Sequence, residues 1–490
     1  MSLAASLRTR LGAVYNAVRS GAPAQPSNPA LHSGSTIELL DKRFAVCLDH
    51  CVSPDATSLF LHGWIWDPGQ QLLRLEFVLG QHVQAVPAAE LMRHPRKDVA
   101  AHCQKRFSDD TMDNHGFLTF LSTEAPATGG GLLRAVLKDG QVVELALSPS
   151  TDPFLSQRYI LGIIPFEPLF SSALMANHIA PAISRARAGL PGARAARTLS
   201  FGSSPSNPEL SIVVPLYGRV ELMEHQLAQF ANDPAISASE LIYVLDDPSR
   251  GGAEFESYVF HLAQLYRVPF RVLVMERNSG YAAANNVGAA ASSAPFLLFL
   301  NSDVFPTKPG WTTSLLAHHN ADPHLGALGC KLLYEDCSIQ HAGMYFYPDI
   351  YPYRLWVNIH YFKGLPRDWP EACVDRAVPA VTGAALLVRR TAFEQVGGWD
   401  ESYIVANFED SDLCLRFVKH GYTNRYCSSV ELYHLERQSQ KGAEADPVRI
   451  NSDFYNRWLQ TFRWGGLIED LMKQHVPASA GGQIQAGSAI

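Results

Sequence analysis

The distribution of apolar and polar positions divides the chain into two regions with different patterns. Over residues 37–149, short apolar runs alternate with turn residues, which is typical of antiparallel strands. The segment Lys138-Asp139-Gly140-Gln141 separates two of these runs and carries the Asp-Gly signal of a tight hairpin. We therefore predict a small all-β sandwich domain over residues 37–149.

From Leu210 onward, apolar runs are separated by spans with helical periodicity. The runs occupy residues 210–216, 240–247, 271–275 and 296–300. Strands that alternate with helices at this spacing form βαβ units, which build a mainly parallel sheet covered by helices on both faces. The pattern predicts an α/β domain over residues 210–470.

Three further segments complete the predicted organisation. Residues 1–36 combine an amphipathic helical stretch with a linker rich in Pro, Ser and Gly, residues 150–209 form a helical connector, and residues 471–490 form a flexible tail. The amphipathic stretch fits a helix that docks on the protein or one that lies on a membrane surface, and docking is favoured. No apolar run of about 18 residues occurs, so we expect a cytoplasmic protein with at most peripheral contact at the inner face of the membrane.

Composition excludes some classes of protein and leaves others open. The 490 residues are 47% hydrophobic and 18% charged, with a formal net charge of −7. A nucleic-acid-binding protein would usually carry a basic stripe, so nucleic acid is not an expected partner. The eight cysteines are scattered without a CxxC pair, which gives no sign of structural zinc or of a disulfide framework. The oligomeric state stays open.

Polar side chains follow each of the four predicted strands. Open α/β sheets bind their ligands at this edge. A carboxylate there can accept a hydrogen bond from a base N–H, and glycines let the backbone approach phosphates. Each group alone also fits an ordinary turn, but four in register indicate a ligand site, in which Asp303 is the candidate for a metal bound to phosphate. The groups are Pro215–Arg219, Asp246–Asp247, Asn278–Tyr281 and Asn301–Asp303.

A second concentration of acids opens a predicted helix further along the chain. Glu409, Asp410 and Asp412 place three carboxylates within four residues. Capping and the helix dipole explain acids in a first turn. Three exceed what a cap needs, so a general base tuned by a neighbouring acid is the alternative. His434 ends a short predicted strand, and it would suit a metal such as Mn²⁺ only if it converges with Asp303.

These residues give the span 210–440 a resemblance to the family 2 glycosyltransferases of GT-A fold, particularly to the bacterial rhamnosyltransferase-like branch. The resembling segments occur in the family's order. They include IVVPLYGR (212–219), VLDDPS (244–249), RNSGYAAANNVGAA (277–290), FLLFLNSDV (296–304), SIQHAGM (338–344), VTGAALLVRR (381–390), VGGWDE (396–401), FEDSDLCLR (408–416) and LYHLERQS (432–439).

The resemblance implies a role for each matching residue. Asp410 would be the catalytic base, with Glu409 beside it, and Asp303 and His434 would bind Mn²⁺ or Mg²⁺. One departure matters, because Asn301 stands where the family motif has its first acid and adds no charge at the metal. The implied donor-binding residues are Pro215, Tyr217, Asp246, Asn278, Gly280, Asn285, Asn301 and Ser302.

The implied function is an inverting, metal-dependent sugar transfer in surface polysaccharide synthesis. The donor would be a UDP- or dTDP-linked sugar, and the acceptor a hydroxyl of a glycan or lipid-linked glycan. A catalytically weakened transferase that serves as a glycan-binding or scaffold subunit is the alternative, supported by Asn301 and opposed by the presence of Asp303, Asp410 and His434. A nucleotidyltransferase would need a glycine-rich, basic segment after the first strand, and only Arg219 lies there.

Aromatic residues between the metal strand and the base helix form a candidate acceptor groove. Trp356 and Trp369 are its best members, with Asp412 as a further candidate, while packing of a long excursion explains most of the other aromatics. In the predicted sandwich, Trp64 and Trp66 share one face of a strand. That face could bind glycan, but core packing is the favoured interpretation.

Overall fold

The computed structural model describes residues 36–40, 44–99, 114–349, 353–435 and 446–475. The predicted N-terminal helix and linker, up to residue 35, and the tail from residue 476 lie outside these ranges. The chain divides into two compact units. Of these described residues, one unit contains those in 193–435 and 456–475, and the other contains those in 36–192 and 446–455.

The smaller unit contains an antiparallel β-sandwich. Its strands are β1 (Thr36–Leu40), β2 (Phe44–Val52), β3 (Ser58–Trp66), β4 (Leu72–Leu79), β5 (His82–Pro87), β6 (Met92–His94), β7 (Gly116–Ser122), β8 (Gly131–Leu137) and β9 (Val142–Leu147). One sheet has the order β1-β2-β3-β7-β6 and the other β5-β4-β8-β9. Leu61 of the first sheet and Phe77 and Leu133 of the second are fully buried in one core. The predicted all-β domain is therefore confirmed.

Two sequence signals in the sandwich agree with the structure. The segment 138–141 links β8 to β9 as a hairpin, in which Gly140 has a φ of +86° that suits glycine. Trp64 and Trp66 are both buried, in a cluster with Ala45 and Cys47 on the face of the sheet away from the main core. Their packing agrees with the favoured interpretation of these tryptophans.

Helices follow the sandwich, as predicted for the start of the connector. Helix α1 (Pro153–Gly162) begins at Asp152, whose carboxylate accepts hydrogen bonds from the backbone N–H of Phe154 and Leu155. A π-helical turn (Leu174–Ile179) runs into α2 (Ala180–Ala188). The end of the predicted connector differs, because strand β10 (Ala195–Phe201) joins the large sheet of the other unit.

The larger unit is built on a mixed sheet of eleven described strands. The strands that follow β10 are β11 (Leu210–Leu216), β12 (Glu240–Leu245), β13 (Phe270–Met275), β14 (Phe296–Leu300), β15 (Val304–Pro306), β16 (Leu325–Leu333), β17 (Ile339–His341), β18 (Met344–Pro348), β19 (Trp356–His360), β20 (Arg376–Ala377), β21 (Ala385–Arg389) and β22 (Thr423–His434). The main path of the sheet has the order β10-β13-β12-β11-β14-β21-β16-β22-β15. Strands β11 to β14, β16 and β22 run in one direction, and β10, β15 and β21 run in the other.

Helices cover both faces of this sheet, so its central strands are buried on both sides, as in other parallel sheets. The small residues of one helix allow a close approach. A Cβ at Gly288 would lie 2.3 Å from a methyl group of Val213 in β11. The helices are α3 (Leu222–Phe230), α4 (Pro234–Ser237), α5 (Ala253–Tyr266), α6 (Tyr281–Ala290), α7 (Trp311–Asn320), α8 (Arg390–Gln395), α9 (Glu409–Lys419) and α10 (Pro447–His475).

The predicted α/β class and mainly parallel sheet are confirmed. Helix α10 extends to His475, so the first residues of the predicted flexible tail are helical. Within the described ranges, no helix combines the length and the apolar character needed to cross a membrane. The parallel strands turn their carboxyl ends toward one edge, where the predicted polar groups lie.

Candidate functional site

Asp303 and His434 meet at the edge of the large sheet. Asp303 follows the end of β14 and directly precedes β15, whose Val304 is the antiparallel partner of His434 at the end of β22. The His434 Nε2 atom lies 3.3 Å from Asp303 Oδ1, and Asp303 is buried. The backbone N–H of Leu435 also donates to the Asp303 carbonyl. Strand pairing therefore brings together two residues that are far apart in sequence.

The hydrogen bonds of Gln340 define the tautomer of His434. The Gln340 Nε2 donates to the backbone carbonyl of His434 at 3.1 Å, because a carbonyl oxygen can only accept. The other amide atom, Oε1, then faces His434 Nδ1 at 2.6 Å and must accept a proton from it. When His434 is neutral, its Nε2 consequently turns a lone pair toward the Asp303 carboxylate.

A lone pair and a carboxylate oxygen at 3.3 Å repel each other unless a cation lies with them. Bond lengths of about 2.0–2.2 Å put neighbouring ligand atoms of a metal roughly 3 Å apart, which agrees with this separation. An imidazole nitrogen with a carboxylate oxygen is a donor set that suits Mn²⁺ or a similar ion. Asp303 and His434 thus fit a divalent metal, and a proton on Nε2 is the competing occupant.

Asn301 lies beside this pair in a turn held by Gln226. The buried Gln226 side chain donates to the backbone carbonyls of Asn301 and Val304, at 2.9 and 3.0 Å. The Asn301 Oδ1 atom is buried and has no hydrogen-bond partner among the described residues. Ser302, between Asn301 and Asp303, is half-buried. Asn301 therefore offers a neutral acceptor where the family motif would offer a charge.

Asp246 directly follows β12 and organises the loop before α6. Its two carboxylate oxygens accept hydrogen bonds from the backbone N–H of Ser279 at 2.7 Å and Gly280 at 2.8 Å. Asn278 also accepts from Gly280 N–H, and Gly280 has a φ of +90°, which a side chain would strain. Burial raises the pKa of Asp246 to about 7, although the two N–H donors favour its ionised form.

Tyr281 connects the Asp246 loop to the acidic helix. Its hydroxyl donates to the Gly383 carbonyl at 2.8 Å, and Gly383 N–H donates to Asp410 Oδ2 at 3.0 Å. A Cβ at Gly383 would lie 2.9 Å from the Tyr281 hydroxyl, so this close approach needs glycine. Burial raises the pKa of Tyr281 well above its usual value, and the negative charges of Glu409, Asp410 and Asp303 raise it further. The charges of the proposed base and of Asp303 therefore act on one tyrosine.

Glu409 and Asp410 begin helix α9 as an acidic pair, in which Glu409 is buried and Asp410 is half-buried. Asp410 accepts hydrogen bonds from Gly383 N–H and from Ser411 N–H, while Glu409 Oε2 is buried and has no partner in the described part of the chain. Burial raises the pKa of both carboxyls, and for Glu409 the charge of Asp410 adds to the effect. Ordinary capping does not require an unpartnered acid. A pair that holds a proton near neutral pH is suited to proton transfer.

The backbone that leads into α9 is strained and clamped. Val405, Asn407 and Phe408 all have positive φ, between 65° and 82°. Such conformations cluster at functional sites and persist where the surroundings fix them. Here the fully buried Asn456 of α10 makes four hydrogen bonds, accepting from the N–H of Ile404 and donating to the carbonyls of Ile404, Ala406 and Asn407. The sequence analysis did not find Asn456, Gln226 or the role of Gln340.

The structure places two of the predicted site residues in the protein interior, and it corrects the predicted acceptor role of one of them, Asp412. Asp412 is completely buried and accepts hydrogen bonds from Tyr403, Trp464 and Arg416, so it holds α9 in place and does not reach an acceptor. Asn285 is also completely buried, with its amide donating to the Tyr281 carbonyl. Asn285 stays a predicted residue of the donor pocket.

The remaining predicted site residues differ in their exposure to solvent. Pro215 is paired with Val244 inside the sheet, whereas Tyr217 is 49% exposed just beyond the end of β11. Trp356 is half-buried in β19 and lies against Gly465 of α10, which favours packing. Trp369 is 37% exposed and stays a predicted acceptor contact.

A second group of possible metal ligands lies elsewhere in this unit. His318, Asp375 and Cys427 each bring one ligand atom within 4.8 Å of the others. His318 already contacts Asp375 and the Ser429 hydroxyl, and Ser428 donates twice to Asp375. Protons alone satisfy these contacts, so we assign the group to hydrogen bonding.

A mainly parallel α/β sheet with carboxylates, an imidazole and asparagines at the carboxyl ends of its strands is typical of proteins that bind phosphorylated ligands. The family described as Glycosyl transferase family 2 matches residues 211–397. Over these residues the chain is similar to this family, which agrees with the resemblance found in the sequence. The predicted α/β fold class is confirmed by the sheet itself.

Known relatives carry related names. The chain is 29% identical over 267 residues to the O-antigen biosynthesis protein RfbC of Myxococcus xanthus, covering 51% of this chain and 19% of the relative. It is 32% identical over 199 residues to the N-acetylglucosaminyl-diphospho-decaprenol L-rhamnosyltransferase of Mycobacterium tuberculosis, covering 36% and 62%. A solved structure of GalNAc-T7 with UDP, GalNAc and Mn²⁺ aligns with 54% of each chain at 14% identity and a TM-score of 0.39. The chain spans less than two thirds of the length of these curated relatives.

Proposed function

We propose that this protein is an inverting, metal-dependent glycosyltransferase of surface polysaccharide synthesis. It transfers a sugar from a UDP- or dTDP-linked donor to a hydroxyl of a glycan or lipid-linked glycan. The names of the two curated relatives, one for O-antigen biosynthesis and one for a decaprenol-linked rhamnosyl transfer, support this class of product.

One observation carries the proposal. The Asp303 carboxylate and a lone pair of His434 face each other at 3.3 Å. The charges of Asp303 and of the acidic pair Glu409 and Asp410 all act on Tyr281. The first contact needs a cation, and the acidic pair can hold or accept a proton. Together these features match what a transfer from a diphosphate donor requires.

The residues of the chain would divide the work as follows. Asp246 accepts a hydrogen bond from the nucleobase, and the Gly280 backbone lets the diphosphate approach. Asp303 and His434 would hold a divalent ion, which neutralises the charge that develops on the departing diphosphate. Asp410 takes the proton of the acceptor hydroxyl as its oxygen bonds to the anomeric carbon on the face opposite the leaving group. The transition state resembles an oxocarbenium ion, and no protein nucleophile is needed.

The direct test measures nucleotide binding and nucleotide release on the whole chain. Thermal unfolding is followed with UDP, dTDP and GDP, each with and without Mn²⁺, and release of the diphosphate is followed with the corresponding sugars. A ligand at about 100 times its Kd stabilises the native state by about 2.7 kcal/mol, so binding gives a clear rise in Tm. We expect a rise that needs nucleotide and Mn²⁺ together. No metal-dependent rise with any nucleotide would favour the scaffold alternative, for which the neutral Asn301 is the supporting observation.

The raised pKa of Asp246 predicts a pH dependence of donor binding. A carboxylate accepts a base N–H better than a carboxylic acid does, so the Kd for the nucleotide should rise as the pH falls below about 7, approaching tenfold per pH unit. The same group lowers the free energy of unfolding as the pH rises from about 4 to 7, because the folded state binds the proton more tightly than the unfolded state does.

Isothermal titration with UDP between pH 5.5 and 8 would measure this effect, compared with the Asp246→Asn variant. The titration of the UDP phosphate is common to both proteins and cancels in the comparison. The variant should bind more weakly at pH 8 and show a flatter pH profile. Parallel profiles in the two proteins would remove Asp246 from nucleobase recognition.

A further inference from the structure

Gln340 is placed by a β-bulge beside the end of β22. Strand β17 pairs with the end of β16 so that His341 lies opposite Leu332 and Ile339 lies opposite Leu333, which leaves Gln340 as the extra residue between the pairs. Bulges re-aim side chains and are frequent next to active sites. The bulge explains how a residue in a fully buried strand directs an amide toward His434.

The environment of Gln340 fixes its side chain firmly. The residue is 2% exposed, its amide makes the two hydrogen bonds with His434, and its backbone carbonyl accepts from the His360 ring at 3.1 Å. The amide cannot flip without setting its NH₂ group against His434 Nδ1–H and its oxygen against the His434 carbonyl. Only one orientation of the amide, and one tautomer of neutral His434, satisfies these contacts.

The other tautomer of neutral His434 would leave no ligand atom free for a metal. If Nε2 carried the proton, it would donate to Asp303 Oδ1 in a charge-assisted hydrogen bond, and both ligand atoms would be occupied by each other. A metal would then have to displace that proton. Hydrogen bonds from outer residues to metal-bound histidines generally fix the ring tautomer and raise metal affinity.

We propose that Gln340 is a positioning residue that keeps the Nε2 lone pair of His434 directed at Asp303, and thereby sets the affinity of this site for a divalent metal. The inference rests on the proposed function, since it takes Asp303 and His434 as the metal ligands. Gln340 itself touches neither metal nor substrate in this role.

Two substitutions of similar size separate tautomer control from simple packing. Gln340→Met and Gln340→Glu both lose the hydrogen bond donated to the His434 carbonyl, but only Met also loses the acceptor for His434 Nδ1–H. Mn²⁺ alone is titrated into each whole-chain protein, and free Mn²⁺ is followed by electron paramagnetic resonance. We expect Gln340→Met to weaken binding by about 10–100-fold and Gln340→Glu to bind at least as tightly as the wild type.

A second measurement reports the tautomer without any metal. The negative charge added in Gln340→Glu therefore cannot influence it by attracting Mn²⁺. Nitrogen-15 NMR of histidine-labelled protein reports the tautomer of His434, whose signals are identified by their loss in His434→Ala. We expect the Nδ1–H form in the wild type and in Gln340→Glu, and a shift toward Nε2–H in Gln340→Met. Unchanged tautomer and affinity in Gln340→Met, or equal loss of affinity in both variants, would overturn the proposal.

The two readouts also distinguish this proposal from the proposed function. If the wild type binds no Mn²⁺ while the tautomer still depends on the acceptor at position 340, then the metal site fails and tautomer control stands. If the wild type binds Mn²⁺ and Gln340→Met behaves like it, then the metal site stands and the role of Gln340 fails. Thermal unfolding of both variants checks that the fold is kept.

Discussion

Asp410→Asn should lower the rate of sugar transfer by about 10²–10⁴-fold, the usual contribution of a general base. The amide keeps the shape of the carboxyl group but cannot take the acceptor proton. The donor contacts proposed here belong to Asp246, Asp303 and His434, so nucleotide affinity should change little. Steady-state kinetics with a saturating donor, together with UDP binding by calorimetry, would show a loss in kcat without a matching loss in affinity.

The control for Asp410→Asn is Glu254→Gln, which neutralises an exposed acid on α5 of the same domain and should leave the rate unchanged. The wild-type rate should also fall at low pH, when Asp410 becomes protonated. Because burial raises the pKa of Asp410, that fall should begin above the pH at which an ordinary Asp carboxyl titrates. A variant that retains the wild-type rate would rule out Asp410 as the base.

The local parts of the site were predictable because strand ends and helix starts follow from the pattern of neighbouring residues. Apolar runs that stop at Asp246 and Asn301 placed both residues at one edge of a parallel sheet. The contact between Asp303 and His434 was harder to predict from the sequence, because it depends on the three-residue strand β15, which pairs with the end of β22. No local periodicity determines that register.

The misassigned residue Asp412 shows how a signal in the sequence can be overlooked. Glu409, Asp410 and Asp412 are close together in sequence. Successive side chains of a helix point in different directions, however, so the three carboxylates do not share one environment. Arg416 lies four residues after Asp412, which places the two side chains on one face and predicts the observed pair. The spacing thus contained the structural role of Asp412, and Glu409 and Asp410 were the informative acids.

Residues that support the site from within the core gave no usable signal. Gln226, Gln340 and Asn456 are buried polar residues whose hydrogen-bond partners are distant in sequence. Their roles depend on which backbone carbonyls the fold places nearby. Strand β10 was missed for a related reason, because an edge strand with exposed polar residues resembles a connector.

Removing the charge of Asp303 should cause the second of the two largest expected effects, a loss of Mn²⁺ affinity. Asp303→Asn leaves a neutral amide opposite the His434 lone pair. Asn301, two residues earlier in the chain, is neutral as well, so the segment 301–303 would then contribute no negative charge. Loss of an outer hydrogen bond at a metal site costs about 10–100-fold in affinity, so loss of the one charged ligand should cost at least about 100-fold. Titration of Mn²⁺ alone would measure this loss, and metal-dependent transfer should disappear with it.

The reciprocal variant Asn301→Asp tests the same argument in the opposite direction. It restores a carboxylate beside Asp303, at a position where the present Oδ1 is buried and lacks a partner among the described residues. Since the added charge lies next to the proposed metal, Mn²⁺ affinity should increase relative to the wild type, even if burial of an extra acid lowers Tm. Equal Mn²⁺ affinity in the wild type, Asp303→Asn and Asn301→Asp would mean that this edge of the sheet holds no metal, and that a proton occupies the space between Asp303 and His434.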